Sequence, residues 1–299
     1  MSHVQLRLED EGAPDFAGDV VETLNAVLAP NRSKSPSEAA ASLNALCSND
    51  YAQHGSAGSF LWWFWDLVHD LARQLPYDGP QQDQLADVVR ALHDLPPRTV
   101  SLGEDWGSEG DVQLWTGLPM FANTFREKLD DGDSRASGEV QRKERAVNLQ
   151  AYASRVAGMG FFPFEMYAVW AFVDALEGTM RHVRGAPDEV DDDPASIEGL
   201  PYKVSIAASW MVHTGERLYG RDEEVHGATA GPLWRLDKKE AIRLRRKFRG
   251  TNGLCPQRWR LWKGRFAAIH SMERLDEKVR TEAKNACAAM DKAEESHKS

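Results

Sequence analysis

The stretch LWWFWDLVHDLARQLPYDGPQQDQLADVVRALHDLPP, residues 61–97, decides the fold class. Counting from Phe60 just before it, Phe64, Leu67, Val68, Leu71 and Leu75 follow the i, i+4, i+7, i+8 spacing that lines one face of a helix. Pro76 closes that helix. Pro80 suits the first position of the next, whose inward stripe is Leu85, Val88, Val89, Leu92 and Leu95 before Pro96 and Pro97 stop it. A link this short predicts an antiparallel helical hairpin.

Upstream, Ser35-Pro36-Ser37-Glu38 reads as a capping box with proline at the first helical position, and Ala39, Leu43 and Leu46 follow as core residues. A helix before Pro30 carries Val20, Leu24, Val27 and Leu28. Downstream, residues 98–117 hold four glycines around Trp106 and Trp115 and predict an ordered loop. Leu118, Phe121, Phe125 and Leu129 mark a helix that ends in the charged stretch 130–145, and another runs from about 146 to 159. The segment from Pro163 to Val183 is apolar on most of its circumference and is expected at the centre of the fold. Residues 185–201, acidic and broken by Pro and Gly, predict a solvated linker. Further helices are expected near 204–218 and 238–248. One long final helix opens at Pro256 with a stripe from Trp259 through Trp262, Phe266, Ile269, Met272, Leu275 and Val279 to Ala286, its tail leaving the body. VQLRL at residues 4–8 alternates like a strand, and one strand makes no sheet. The expected fold is all-α, a single domain of about nine or ten helices packed as a bundle or short solenoid.

Composition excludes several functions. The 299 residues carry 36 Lys and Arg against 46 Asp and Glu, a net charge of −10, so the chain as a whole repels polyanions. No apolar run approaches membrane-spanning length and the opening residues are too polar for a secretory leader, which predicts a soluble, cytoplasmic protein without a membrane partner. Cys47, Cys255 and Cys287, odd in number and widely spaced, fit neither a disulfide framework nor a metal knuckle and are expected reduced and packed.

Candidate chemistry is sparse. Glu165 and Asp174 lie in the most apolar helix, where an unpaired carboxylate has a raised pKa and can act as an acid or base. Glu165, however, falls in a first turn, where a carboxylate caps free N–H groups, and Asp174 can face an arginine of a neighbouring helix. His69 with Asp66, and His213 with Glu216, stand at i, i+3, a spacing that lets a carboxylate orient an imidazole. Glu-x-x-His occurs once, at Glu223 and His226, and dimetal bundles need it twice. No H-E-x-x-H, G-x-S-x-G, Walker or dinucleotide glycine pattern is present, so no metal and no cofactor are expected. DDDPASIE, from Asp191, is the only run like the magnesium motif of class I terpene cyclases, and it sits in the Pro-broken linker without a second motif. Residues 235–265 hold twelve Lys or Arg against Asp237 and Glu240, interleaved with Trp234, Phe248, Trp259 and Trp262. That pattern can grip phosphates, yet no nucleic-acid-binding signature accompanies it and the rest of the chain is acidic. Nucleic acid is therefore set aside in favour of intramolecular pairing, with a protein partner or self-association open to the same segment.

Residues 61–97 together with GPLWRLDKKEAIRLRRKFRGTNGLCPQRWRLWKGRF, residues 231–266, resemble a family of filamentous-fungal proteins known only as a domain of unknown function. The shared features are a Trp-rich helix ending in Ala-x-Gln-Leu-Pro at Ala72 to Pro76, a Gln/Leu helix ending in Leu95-Pro96, and Arg-Trp-x-x-Trp-Lys at Arg258 to Lys263. The resemblance implies one helical region over 58–270 with 185–201 as an insertion, preceded by N-terminal helices over 1–57 and followed by an extended helix or tail over 271–299. It also implies a cytoplasmic setting, sometimes beside secondary-metabolite biosynthetic genes, and brings no catalytic motif. The favoured function is a non-catalytic accessory or interaction protein. The alternative is a metabolite-acting enzyme or small-molecule carrier whose pocket is lined by Trp62, Trp65, Trp106, Trp115 and Trp170, with His69 or His213 as its polar group.

Trp259, Trp262 and Phe266 share one face of the final helix, with Arg258, Arg260 and Arg265 expected to snorkel around them. Trp262→Ala is therefore expected to cost roughly 3 to 5 kcal/mol in chemical denaturation and Arg260→Ala about 1 kcal/mol or less. An unchanged melting temperature for Trp262→Ala with loss of a binding activity would make the residue an exposed recognition site.

Overall fold

The computed structural model describes residues 3–106, 111–130, 133, 135–234, 238–243 and 251–297, without the side chains of residues 238, 240 and 241. Helices dominate, as the periodicity requires, and every sheet among the described residues is a short two-stranded antiparallel pair. The chain divides into two compact units, Met1–Pro163 and Phe164–Ser299.

The first unit contains α1 (Ala17–Leu28), α2 (Pro36–His54), α3 (Gly58–Ala72), α4 (Pro80–His93), the hairpin β1 (Thr99–Ser101) and β2 (Asp111–Gln113), α5 (Phe121–Asp130) and α6 (Glu139–Gly158). The capping box opens α2: Ser35 Oγ accepts from the Glu38 N–H at 3.2 Å, and Glu38 Oε2 accepts from the Ser35 N–H at 2.8 Å. The helices α3 and α4 form where expected but not as a hairpin packed along its length. The α3 helix lies chiefly against α5, and α4 against α2 and α6. Gln82 fixes the turn between them by donating to the Leu75 carbonyl at 2.8 Å. Gly58 lets the end of β1 meet the start of α3, since a side chain there would run into Trp106 and the Leu102 carbonyl.

Two departures in this unit have a common cause, polar groups satisfied from far along the chain. The α6 helix starts at Glu139, earlier than its apolar pattern begins, because its buried position Arg145 is met by Asp133 and by Glu9 at 2.7 Å. VQLRL pairs with no strand among the described residues. Side-chain amides take the strand's place: Gln81 accepts from the Val4 N–H at 3.0 Å and donates to its carbonyl at 2.8 Å. Asn25 does the same for Leu6 at 2.8 and 3.0 Å, and Gln74 for Arg7 at 2.9 and 2.8 Å.

The second unit contains α7 (Glu165–Leu176), the hairpin β3 (Thr179–Arg181) and β4 (Glu189–Asp191), α8 (Leu200–Leu218), β5 (Glu223–Glu224), α9 (Lys238–Arg243), β6 (Gly253–Leu254), α10 (Pro256–Ser271) and α11 (Glu277–Ser296). Three expectations are corrected here. The central helix stops at Leu176 rather than Val183, because Gly178 turns the chain with φ +72° and residues 179–181 pair with 189–191. The supposed linker 185–201 is ordered, holding β4, a 3-10 turn over Pro194–Ser196 capped by Asp193, and the buried residues Ile197 and Leu200. The long terminal helix is two helices. Asp276 accepts from the Lys278 N–H at 2.7 Å and starts α11, which folds back instead of leaving the body. The stripe Val279, Ala283, Ala286, Met290 and Ala293 is buried in this unit, where α11 packs on α8 and α10. Small residues let the backbones approach closely, while Trp259 and Lys263 on α10 hold Glu294 at 2.9 and 2.7 Å. Of the predicted helix near 238–248, α9 is described and residues 244–250 lie outside the described residues.

The amide clamps differ in exposure, which separates their energetics. Asn25→Ala leaves both polar groups of the buried Leu6 without partners and is expected to lower stability by about 1 to 3 kcal/mol. Gln74→Ala frees exposed groups that water can take over, at about 0.5 kcal/mol or less. Thermal denaturation of the two variants checks this, and equal losses would contradict it.

Candidate functional site

His69 and the aromatic rings around it form the most chemically distinctive place in the first unit. The α3 helix sets Trp65 and His69 one turn apart on its buried face, and Phe121, first residue of α5, packs edge-on to both with ring centroids 5.0 and 4.8 Å away. Tyr152 of α6 lies 5.9 Å from the imidazole and 6.1 Å from Phe121. The chain reaches Phe121 through Leu118 and Met120, both with positive φ, +41° and +68°, so backbone strain is tolerated to deliver that ring. Fully buried, His69 holds its Nε2 3.2 Å from the Phe121 carbonyl oxygen. Burial pushes its pKa down to about 3 against that hydrogen bond, so the ring is neutral at physiological pH. A carbonyl only accepts, so Nε2 carries the proton and Nδ1 presents a bare lone pair.

One residue further along α3, Asp70 starts an ion network. It accepts from Arg73 at 3.2 Å, from Lys128 at 2.9 Å and from Arg135. Lys128 also holds Asp66 at 2.8 Å, and Arg73 donates to the Lys128 carbonyl at 2.6 Å. Asp66 is thus engaged by Lys128, and the expected Asp66–His69 dyad does not form. In Asp133, burial is the largest influence and acts to raise the pKa, but the Arg145 hydrogen bond, the charges of Arg145 and Arg73 and the Arg135 N–H together outweigh it, and the carboxyl stays below its ordinary range.

In the second unit the predicted residues are spread. Glu165 does cap its helix, accepting from the Phe164 N–H at 3.0 Å, and it also pairs with Arg221 at 2.7 Å, so its pKa ends below the usual carboxylate value despite partial burial. Asp174 is exposed. Loss of part of its hydration raises its pKa, opposed by the charge of Lys203. His213 is half-buried on α8, while Glu216 pairs with Lys292 of α11 at 2.8 Å. Asp191 and Asp193 of the DDDP run are turn-forming groups: the Asp193 carboxylate accepts from the Ala195 N–H at 3.0 Å and pairs with Arg274.

The strongest buried cluster in this unit was absent from the sequence reading. Glu177, fully buried, accepts four hydrogen bonds: Arg258 Nε at 2.7 Å, Arg258 Nη2 at 3.1 Å, Trp262 Nε1 at 2.8 Å and the Gly231 N–H at 2.7 Å. A side chain at Gly231 would collide with Glu177, so only glycine brings that N–H so close. Arg258, expected to snorkel, is also fully buried and gives its remaining protons to the carbonyls of Thr229 at 2.7 Å and Gly253 at 2.9 Å, with Thr251 at 3.5 Å. Its guanidinium lies 5.2 Å from the Trp262 ring and 5.8 Å from that of Trp234. Arg260 is exposed, as expected for a snorkelling position.

The tryptophans proposed as a pocket lining pack on neighbouring aromatics. Trp62 meets Trp106 at 5.3 Å, and Trp65 meets Trp115 at 6.1 Å with Phe64 against both. Trp115 donates to Asn44 at 2.8 Å. Trp170, in the second unit, stacks edge-on with Tyr167 at 5.8 Å and donates to the Gly227 carbonyl at 3.0 Å. Among the described residues there is no group of three His, Cys, Asp or Glu placed to hold a metal ion.

Either half of the Glu177–Arg258 pair alone is a buried uncompensated charge, so Glu177→Gln and Arg258→Met are each expected to cost about 3 to 5 kcal/mol in urea unfolding, and the double variant Glu177→Leu, Arg258→Met much less than their sum. Near-neutral single variants would refute the pairing.

No curated protein and no solved structure matches the chain. A family model described as "Protein of unknown function (DUF3632)" matches residues 65–266, within the region 58–270 where the resemblance was read and including both the Trp-rich helix from Trp65 and the Arg258–Lys263 segment. The chain belongs to the DUF3632 family.

Proposed function

We propose that this chain is a non-catalytic accessory or interaction protein acting through its surface, cytoplasmic and associated with fungal secondary-metabolite biosynthesis. The observation that carries the reading is that its buried and half-buried carboxylates are engaged by fixed donors of the chain. Glu177 has two oxygens with room for four donors and meets four, Asp70 meets three cations, and Glu165 is held by Arg221 and a backbone N–H. A general acid or base has to exchange a proton with substrate, and each of these carboxylates is instead engaged by fixed donors, Glu177 at all four acceptor positions.

The basic segment 235–265 supplies the charge for such an interaction. Its C-terminal third is used internally: Arg258 by Glu177, Lys263 by Asp291 and Glu294, and Arg265 by the carbonyls of Leu176 and Asp192. Residues 235–237 and 244–250 lie outside the described residues. By sequence, 235–249 carries eight basic residues against Asp237 and Glu240, which suits an acidic partner surface or the acidic body of a second copy. A second reading, a metabolite-acting enzyme or carrier, is favoured by one observation, the bare Nδ1 of His69 within an aromatic cage.

Deleting the gene and profiling metabolites, with any accumulating compound incubated with purified protein, separates the two. The expected outcome is no turnover, together with an association that weakens with salt and falls about tenfold in the double variant Arg245→Glu, Arg246→Glu, measured by sedimentation. Turnover of an accumulated compound, lost in His69→Gln, overturns this reading in favour of the second.

A further inference from the structure

Three side chains whose rings pack on Phe121 in the first unit each carry a buried polar atom without a hydrogen-bond partner among the described residues: Trp65 Nε1, His69 Nδ1 and the Tyr152 hydroxyl. Their parent side chains are each fully buried, so bulk water does not reach them. Their chemistry is complementary. Trp65 offers one proton and no acceptor, the Tyr152 hydroxyl offers one proton, and His69 offers one lone pair because its Nε2 proton is committed to the Phe121 carbonyl. We propose that Trp65, His69 and Tyr152 bound an internal hydration site, in which one water molecule accepts from Trp65 and Tyr152 and donates to His69 Nδ1.

Water fits this set better than the alternatives. An anion has no cation here to meet it, and the neighbouring Lys128 and Arg73 are taken up by Asp66, Asp70 and the Lys128 carbonyl. A metal ion has one ligand nitrogen and no carboxylate facing it. A buried water needs two to four polar partners, and three are available. Phe121 and Phe125 pack on His69 and Phe162 packs on both, so the surroundings are apolar and a water held there is expected to exchange slowly. The site joins α3 to α6 through a polar bridge inside an apolar core, and it sets the orientation of the imidazole from the Nδ1 side as Phe121 does from the Nε2 side.

The test uses the full chain labelled with ¹⁵N at Trp and His. A long-lived water is expected to show cross-relaxation to the Trp65 indole proton and to disappear from that signal in Tyr152→Phe. The same variant is expected to shift the unfolding equilibrium towards the unfolded state about five- to tenfold, the size of one lost hydrogen bond. Absence of a long-lived water at Trp65 in the wild type overturns the proposal, whether or not Tyr152→Phe folds. So does a loss of stability without that water, which would mean that Tyr152 bonds His69 directly. Unchanged or increased stability in Tyr152→Phe removes Tyr152 from the site and equally overturns the three-group assignment.

Discussion

A carboxylate taken wholly out of water has to be met by donors, and in the second unit Glu177 is the group on which that demand falls. Its four donors come from three places, the backbone at Gly231, the guanidinium of Arg258 and the indole of Trp262, lying 54, 81 and 85 residues away along the chain. Arg258 in turn collects carbonyls from residues 229, 251 and 253. One residue after α7 thus ties down the loop before Trp234, the β6 strand and the first turn of α10. The same neighbourhood ends α7, since the Leu233 N–H takes the Glu177 carbonyl at 2.9 Å and Gly178 turns the chain with φ +72°.

The first unit meets the same requirement with more exposed parts. Asp70, Asp133, Arg73 and Arg145 are buried, and their partners Glu9, Lys128 and Arg135 reach them from the rim, with Asp10 pairing to Arg135 in turn. Glu9 and Asp10 belong to the N-terminal segment, so the ion network and the three amide clamps hold the same stretch of chain. Its backbone hydrogen bonds go to side chains, the one arrangement that a period-two pattern cannot distinguish from a strand. His69 is the exception to pairing, since an imidazole can shed its charge on burial where a guanidinium cannot.

What was legible in the sequence follows from this division. Apolar spacing located α1, α3, α4 and α8, and local capping chemistry located the start of α2, because those signals lie within a few residues of one another. The start of α6 at Glu139, the end of α7 at Leu176 and the burial of Arg258 depend on partners dozens of residues away, and no window of sequence contains both halves. The break between α10 and α11 had a local sign, Asp276 followed by Glu277, but the apolar stripe continues in phase through Met272 and Leu275 and masked it. The acidic stretch 185–201 misled for the opposite reason: its aspartates cap a turn and pair with Arg274, uses that look the same as solvation in composition. Of the candidate site, His69 was visible as a histidine on an apolar face, whereas Phe121 read only as a core residue and Tyr152 was not singled out within its helix.

Spare hydrogen-bonding capacity is what separates a structural polar cluster from a reactive one. Arg258 and Glu177 have spent theirs on each other and on backbone groups, so the pair is rigid and chemically silent, and its removal affects the fold before any reaction. In the first unit Asp70 is surrounded by fixed cations, and the charges and hydrogen bonds around Asp133 hold its carboxyl below the ordinary range. His69 keeps one unspent lone pair, but in a ring whose low pKa makes it a poor base and whose surroundings admit no charge. An internal water satisfies that lone pair without creating charge, and for that reason a buried histidine at this position is compatible with a protein whose chemistry lies at its surface.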